Sequence, residues 1–187
     1  MARIPYPDLS GITDDEILDI LDRARRVGTP RPESQAIRAR VPAVLKTFTA
    51  AWMDTFVEGV VDHDLKELCR VYVTKTVDCG YCAAQRSVDA SADESHYADL
   101  LSYATSDKYS EREKAALAYT DAIVWDARLG TDEMWERLNA NFSPEELVEL
   151  GYFIALTSGQ QRWIKTLDLG HGEILADDSQ AGLLSSI

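Results

Sequence analysis

Two of the chain's three cysteines lie in TVDCGYCAAQRSVDA, residues 76–90, as the C-x-x-C pair Cys79 and Cys82. Two thiols at this spacing can cycle between dithiol and disulfide, supply half of a zinc site, or pack as small apolar residues. Redox chemistry asks for a thiolate, so the elements around the pair decide its use. HDLKELCRVYVTKT, residues 63–76, reads as a helix with Leu65, Leu68, Cys69, Tyr72 and Val73 on its apolar face. VDCG interrupts that period and YCAAQRSVDAS resumes it. Cys79 therefore falls at or just before a helix start, and Cys82 in the first turn. Free N–H groups and partial positive charge at that end favour a thiolate. Arg86, four residues beyond Cys82, shares its face on a helix over 80–91 and adds a fixed cation. Together these predict an acidified Cys82.

A structural zinc site needs four ligands, and only one C-x-x-C is present. His63, His96 and His171 are scattered, with no zinc-finger spacing. No metal or cofactor is expected. Cys69 sits mid-helix on an apolar stripe and reads as a small core residue.

The surrounding chain is ordinary for a soluble globular protein: 187 residues, 45% hydrophobic and 27% charged. It is most simply one domain, long enough to bury a core without staples. A net charge of −13 repels phosphate backbones, which excludes nucleic acid as a partner. MARIPYPDLSGITDDEI has no apolar segment of a targeting signal, and no run is long enough to span a membrane. Three cysteines, an odd number, argue against a disulfide-stapled secreted fold, so a cytoplasmic location is expected.

The elements that must carry the pair are helices. Thr13-Asp14-Asp15-Glu16, Ser110-Glu111-Arg112-Glu113 and Ser143-Pro144-Glu145-Glu146 read as capping boxes, the last with proline at the first helical position. Thr131 caps a helix over 132–140. Helices also fit 42–57, 63–76, 80–91 and 94–104. Residues 26–34, RVGTPRPES, read as a loop with two prolines. The tail from Gly170 has no clear period and is expected to dock loosely or reach a neighbouring subunit. With no alternating strand and no hairpin dipeptide, the class is all-α, with about seven to eight helices.

These features resemble the carboxymuconolactone decarboxylase superfamily, which includes peroxidases of the alkyl hydroperoxide reductase D (AhpD) type. The resemblance covers about residues 40–168, with residues 1–39 as an N-terminal helical extension. It runs from VPAVLKTF through LKELCRVYVTKTVDCGYC and SEREKAALAYTDAI to ERLNANFSPEELVELGYFIAL. The peroxidase-type motif is a glutamate, eleven residues, C-x-x-C, three residues and a histidine. Here Glu67, Cys79 and Cys82 stand in register. The resemblance implies an AhpD-like helical bundle built around a helix hairpin and assembled as homo-trimers or hexamers. It also implies that Cys82 attacks a peroxide, Cys79 resolves the sulfenic acid to a disulfide, and Glu67 acts as base. Two thiols one turn apart suit that closure.

The motif's histidine position holds Arg86, and Tyr81 stands between the cysteines where some members carry histidine. Arginine stays protonated and cannot act as a general base, but it can hold a thiolate or a substrate carboxylate. His63, four residues before Glu67, reads as a solvated first-turn residue. Arg162, in SGQQRW, falls where members often carry arginine and joins Tyr81 as a candidate substrate contact. His96 and the tryptophans at 52, 125, 135 and 163 signal only packing.

The leading expectation is a thiol-dependent oxidoreductase, an alkylhydroperoxidase-like peroxidase or disulfide reductase. It would be regenerated by an external dithiol, such as a thiol-reductant protein. The alternative is a non-redox decarboxylase or lyase acting on a small carboxylate, with Arg86 holding the anion and Glu67 moving protons. A third is a non-catalytic helical assembly that binds a small ligand or partner.

Overall fold

The structure, a computed structural model, describes residues 2–174 and 181–184. Eight α-helices occur among them: α1 Asp15–Val27, α2 Pro32–Ala39, α3 Pro42–Trp52, α4 His63–Val77, α5 Gly80–Ala83, α6 Glu111–Val124, α7 Asp132–Asn141 and α8 Pro144–Leu167. Among the described residues there is no strand, only an isolated bridge between Gln85 and Leu183. The all-α class is as expected. No described helix is long and apolar enough to cross a membrane.

Local capping chemistry sets most helix ends. Ser110 and Glu113 form a reciprocal box at α6. Ser143 and Glu146 exchange the same two bonds at α8. The Thr131 side chain caps α7 by accepting from Met134 N. At α1 the cap is Asp14 rather than Thr13: its carboxylate accepts from the backbone of Glu16 and Ile17, which puts a negative charge at the positive end of the helix.

Three other spans differ from the sequence expectation. The loop over 26–34 ends early, because Pro32 takes the first helical position of α2, where a missing N–H costs nothing. The helix over 42–57 passes into a π-helical turn at Met53–Val57. The span 94–104 holds only two 3₁₀ turns, Glu94–Tyr97 and Leu100–Ser102.

The chain divides into two compact units. The first comprises Met1–Trp52, Cys79–Asp89 and Arg162–Ile187; the second comprises Met53–Asp78 and Ala90–Gln161. In the second unit, Leu68, Cys69 and Tyr72 of α4 pack with Leu117 of α6, Leu138 of α7 and Leu150 and Ile154 of α8. Full burial of such side chains contributes roughly 1.5–3 kcal/mol each. In the first unit, Ile17, Ile20 and Leu21 of α1 pack on Leu45 of α3. A second cluster there joins Ile37 of α2 to Leu167 and Leu169, with Tyr81 and Trp163 packed against it. That cluster positions the cysteine turn.

Candidate functional site

Helix α4 ends when Asp78 adopts a left-handed conformation, φ 51°, with its N–H on Thr74 O. The next residue, Cys79, is extended and is the N-cap of α5. Its sulfur accepts from Cys82 N at 3.3 Å, the role serine or aspartate usually fills. The Cys79 and Cys82 sulfurs lie 2.7 Å apart, and both are buried free thiols.

Cys79 carries an acidic shift, its pKa dropping to about 7. The largest cause is the hydrogen bond from the Cys82 thiol. Burial opposes it, while the Cys82 N–H and the Lys165 charge reinforce it. The two sulfurs lie close enough to titrate as a pair, and the hydrogen bond between them stabilises a Cys79 thiolate.

Helix α5 stops at Ala83 instead of running to 91. Its continuation is replaced by hydrogen bonds to the tail: Arg86 N donates to Gly182 O at 2.7 Å, and Leu184 N to Ala84 O at 2.8 Å. Gln85 Nε2 adds a bond to Ala181 O at 3.1 Å. Gly182 sits at φ 66°, and a Cβ there would fall on Arg86 O. The described tail residues are therefore tied to the cysteine turn; residues 175–180 and 185–187 lie outside the described part.

With the helix cut short, the four-residue spacing of Arg86 no longer sets it above Cys82. Its Nη1 donates instead to Ala83 O at 3.1 Å and Gln85 O at 2.9 Å.

Tyr81 Oη donates to Glu33 Oε2 at 2.8 Å. Glu33 is fully buried on α2, accepts Gly172 N at 2.8 Å, and has Arg31 Nε 3.6 Å away. Burial, then the Glu33 charge, pushes the Tyr81 phenol well up, so it stays a neutral donor. His171 stacks on Tyr81 with ring centroids 4.3 Å apart, and its Nε2 lies 3.0 Å from Tyr81 O. Burial, aided by the Arg31 charge, lowers its pKa and so favours the neutral imidazole.

Arg38, also on α2, is fully buried. Its Nη1 donates to Gln35 Oε1 at 3.0 Å, and its guanidinium lies 3.7 Å from the Phe48 ring centroid and 5.1 Å from that of Trp163. Arg162, the other candidate arginine, is half-buried on α8 next to Trp163.

Glu67 belongs to the second unit. It is fully buried on α4, and Arg70 grips its carboxylate with Nε at 2.6 Å and Nη2 at 2.7 Å. His63 Nδ1 pairs with Phe56 O at 2.9 Å, and His96 Nε2 with Glu113 Oε1 at 2.7 Å.

The structure thus brings Cys79, Cys82, Tyr81 and Arg86 into one turn. Around it stand Glu33, Arg38, Lys165 and His171, none of which the sequence singled out. Charged residues on an eight-residue helix read as solvated by default, and only the fold reveals Glu33 and Arg38 as buried. The glycines flanking His171 were the one local sign that the tail turns there.

No family model matches the chain. An uncharacterized protein of Mycobacterium tuberculosis is 35% identical over 98 residues, half of this chain; the chain spans about a third (34%) of that relative's length. The AhpD-core, peroxidase-related protein of Ralstonia eutropha JMP134 superposes with a TM-score of 0.71 at 18% identity, covering 89% of this chain and 90% of its own. A cysteine-to-alanine variant of the debrominase Bmp8, in complex with 2,3,4-tribromopyrrole, gives 0.70 at 19% identity, covering 91% and 93%. These likenesses establish the architecture: the chain has the all-α fold of AhpD-like proteins.

Proposed function

We propose that this protein is a thiol-dependent oxidoreductase in which Cys79 and Cys82 exchange two electrons with a small substrate. The observation that carries this reading is the pair itself: two buried thiols 2.7 Å apart, one of them titrating near pH 7.

A hydroperoxide is the leading substrate. The proton shared by the sulfurs passes to Cys79, and the Cys82 thiolate attacks the peroxide. An S–O bond forms, the O–O bond breaks, and the alkoxide leaves with the Cys79 proton as an alcohol. The Cys79 thiolate then attacks the sulfenic sulfur and hydroxide leaves as the disulfide forms, becoming water by taking back from solvent the proton the pair released when it first ionised. In sum, two thiols and one hydroperoxide give a disulfide, an alcohol and water. An external dithiol, not a bound cofactor, returns the pair to its reduced state in the cytoplasm.

The debrominase with this fold favours a second substrate class for the same couple. Two thiols and an aryl bromide can give a disulfide, the debrominated ring and hydrogen bromide, again two electrons. The non-redox alternative asks Arg86 to bind an anion, and two backbone carbonyls already engage its Nη1. Assembly as a trimer or hexamer belongs to the main reading; light scattering would contradict it by showing only the 20.8 kDa chain.

The test is substrate consumption with a dithiol donor, using a hydroperoxide and, separately, a polybrominated pyrrole. Wild type sustains turnover on at least one. Cys82→Ser abolishes it, and Cys79→Ser stops after one equivalent per chain. Equal turnover in wild type and both variants contradicts the reading.

A further inference from the structure

We propose that the outward face of α8 is a self-complementary docking surface, on which a second copy of this chain lays its own α8 antiparallel about a two-fold axis. The inference deepens the assembly named above and uses none of its thiol chemistry.

Two faces of α8 are apolar. Inward, Leu150, Phe153 and Ile154 are fully buried. Outward, Val148, Tyr152, Ala155 and Gly159 are exposed, Val148 at 74% and Tyr152 at 55%. Steps of four, three and four residues keep these four in one row, the spacing of a coiled-coil seam. Glu149 is the one charge between Leu147 and Gln161, and it is turned to Lys66, whose Nζ lies 3.0 Å from it. Val148 and Tyr152 also wall a groove of about 340 Å³ with Tyr119, Trp135, Leu147 and Gly151. Trp135 is itself 38% exposed. Val148, Tyr152 and Trp135 together expose on the order of 350 Å², close to half of the roughly 800 Å² that each partner gives to a standard interface. The surface along Ala155 and Gly159 adds to it.

The row identifies its occupant, because it is its own complement when reversed. Two large side chains, Val148 and Tyr152, precede two small residues, Ala155 and Gly159. With the axis between Phe153 and Ile154, Tyr152 faces Ala155 of the partner subunit, and Val148 faces Gly159 of the partner subunit. Each layer sets a large side chain over a small residue. The space over Gly159 is open, since a Cβ there would meet nothing within 4 Å. Charge follows the same reversal. Glu145 stands one step before the row and Arg162 one step after it, so Glu145 meets Arg162 of the partner subunit. The acidic first turn of each helix then lies along the basic last turn of the other, and the helix dipoles oppose. A parallel pair would instead set Tyr152 on Tyr152 and Glu145 on Glu145. On a chain of net charge −13, an uncharged seam with opposite charges at its ends lets two copies meet without bringing acid against acid. Such a contact is isologous, so it occurs in a dimer or in a hexamer of two trimers, and not in a lone trimer.

The test is light scattering of the full chain and of Ala155→Arg, an exposed helical position that suits arginine. Wild type has an even multiple of the 20.8 kDa chain mass. Ala155→Arg sets a cation in the two layers beside the axis and lowers the mass two-fold, with the helical circular dichroism unchanged. A second variant reads the register: Val148→Cys with Gly159→Cys, in a Cys69→Ala, Cys79→Ser, Cys82→Ser background. Mild oxidation links position 148 of one chain to position 159 of the other. Within one chain these positions lie about 16 Å apart along the helix, beyond the reach of a disulfide. A trimeric wild type, an unchanged mass in Ala155→Arg, or links only between like positions overturns the proposal and leaves the thiol reading standing. A monomeric wild type overturns both this proposal and the assembly named above.

Discussion

Cys69 and Cys79 are both buried, at 0% and 2% exposure, yet their thiols move in opposite directions. Cys69 lies in the α4 core of the second unit, where burial pushes its pKa up to about 12 despite a bond from Thr120. Cys79 lies at a helix start in the first unit, and the Cys82 thiol, backbone N–H groups and Lys165 pull it down to about 7. Burial alone makes a thiol inert, while burial with donors and a cation makes it reactive. Buried ion pairs stand in both units: Arg70 grips Glu67 and Lys66 lies 3.0 Å from Glu149 in the second, and Arg31 Nε lies 3.6 Å from Glu33 in the first.

The largest expected difference is in reactivity. At pH 7 and below denaturing conditions, Cys79 should be alkylated at least about 10⁴-fold faster than Cys69, given a thiolate fraction that falls tenfold for each unit by which the pKa exceeds the pH. Peptide mapping after timed labelling checks this, and comparable rates would erase the contrast between the two units.

Next in size is the Arg70–Glu67 ion pair. Arg70→Met leaves the Glu67 carboxylate buried without its bidentate partner and should cost about 3–5 kcal/mol of stability in urea unfolding. A loss under about 1 kcal/mol would mean that Arg70 is not what sustains the buried Glu67 carboxylate.

The thiols also give opposite pH signatures. The folded pKa of Cys79 is depressed, so its stabilisation is present above the unfolded thiol's pKa and is lost as pH falls through about 7. It amounts to at most about 2 kcal/mol. The folded pKa of Cys69 is raised, so its stabilisation is present below the unfolded pKa and is lost as pH rises toward about 12. Cys79→Ser should flatten the rise in stability between pH 7 and 9, and Cys69→Ala should flatten the decline above pH 9. Urea midpoints across that range read both, and unchanged slopes would contradict the assignments.

The smallest effect concerns the tail. Gly182→Ala places a Cβ at φ 66° against Arg86 O and should cost about 1–2 kcal/mol. Hydrogen exchange should then quicken at the Arg86 and Leu184 amides, whose bonds tie the tail to the turn.

What the sequence showed was local. The caps at Ser110, Thr131 and Ser143 are legible because donor and acceptor lie three residues apart. The C-x-x-C and its place at a helix start were legible for the same reason. The end of α5 was not, because the atoms that replace its helical bonds belong to Gly182 and Leu184, about a hundred residues away in sequence. Arg86 is the natural cation only for a helix that continues past it. Arg38 and Glu33 were hidden because their burial comes from packing α2 against Phe48, Trp163 and the cysteine turn, which no periodicity in PESQAIRA announces.

The most direct measurement is a thiol count by alkylation and mass spectrometry, before and after one equivalent of hydroperoxide. The account predicts three free thiols before. Afterwards it predicts the rapid loss of two, a linked Cys79–Cys82 peptide, and Cys69 still free. Persistence of all three thiols, or oxidation that spares the pair and strikes Cys69, would contradict it.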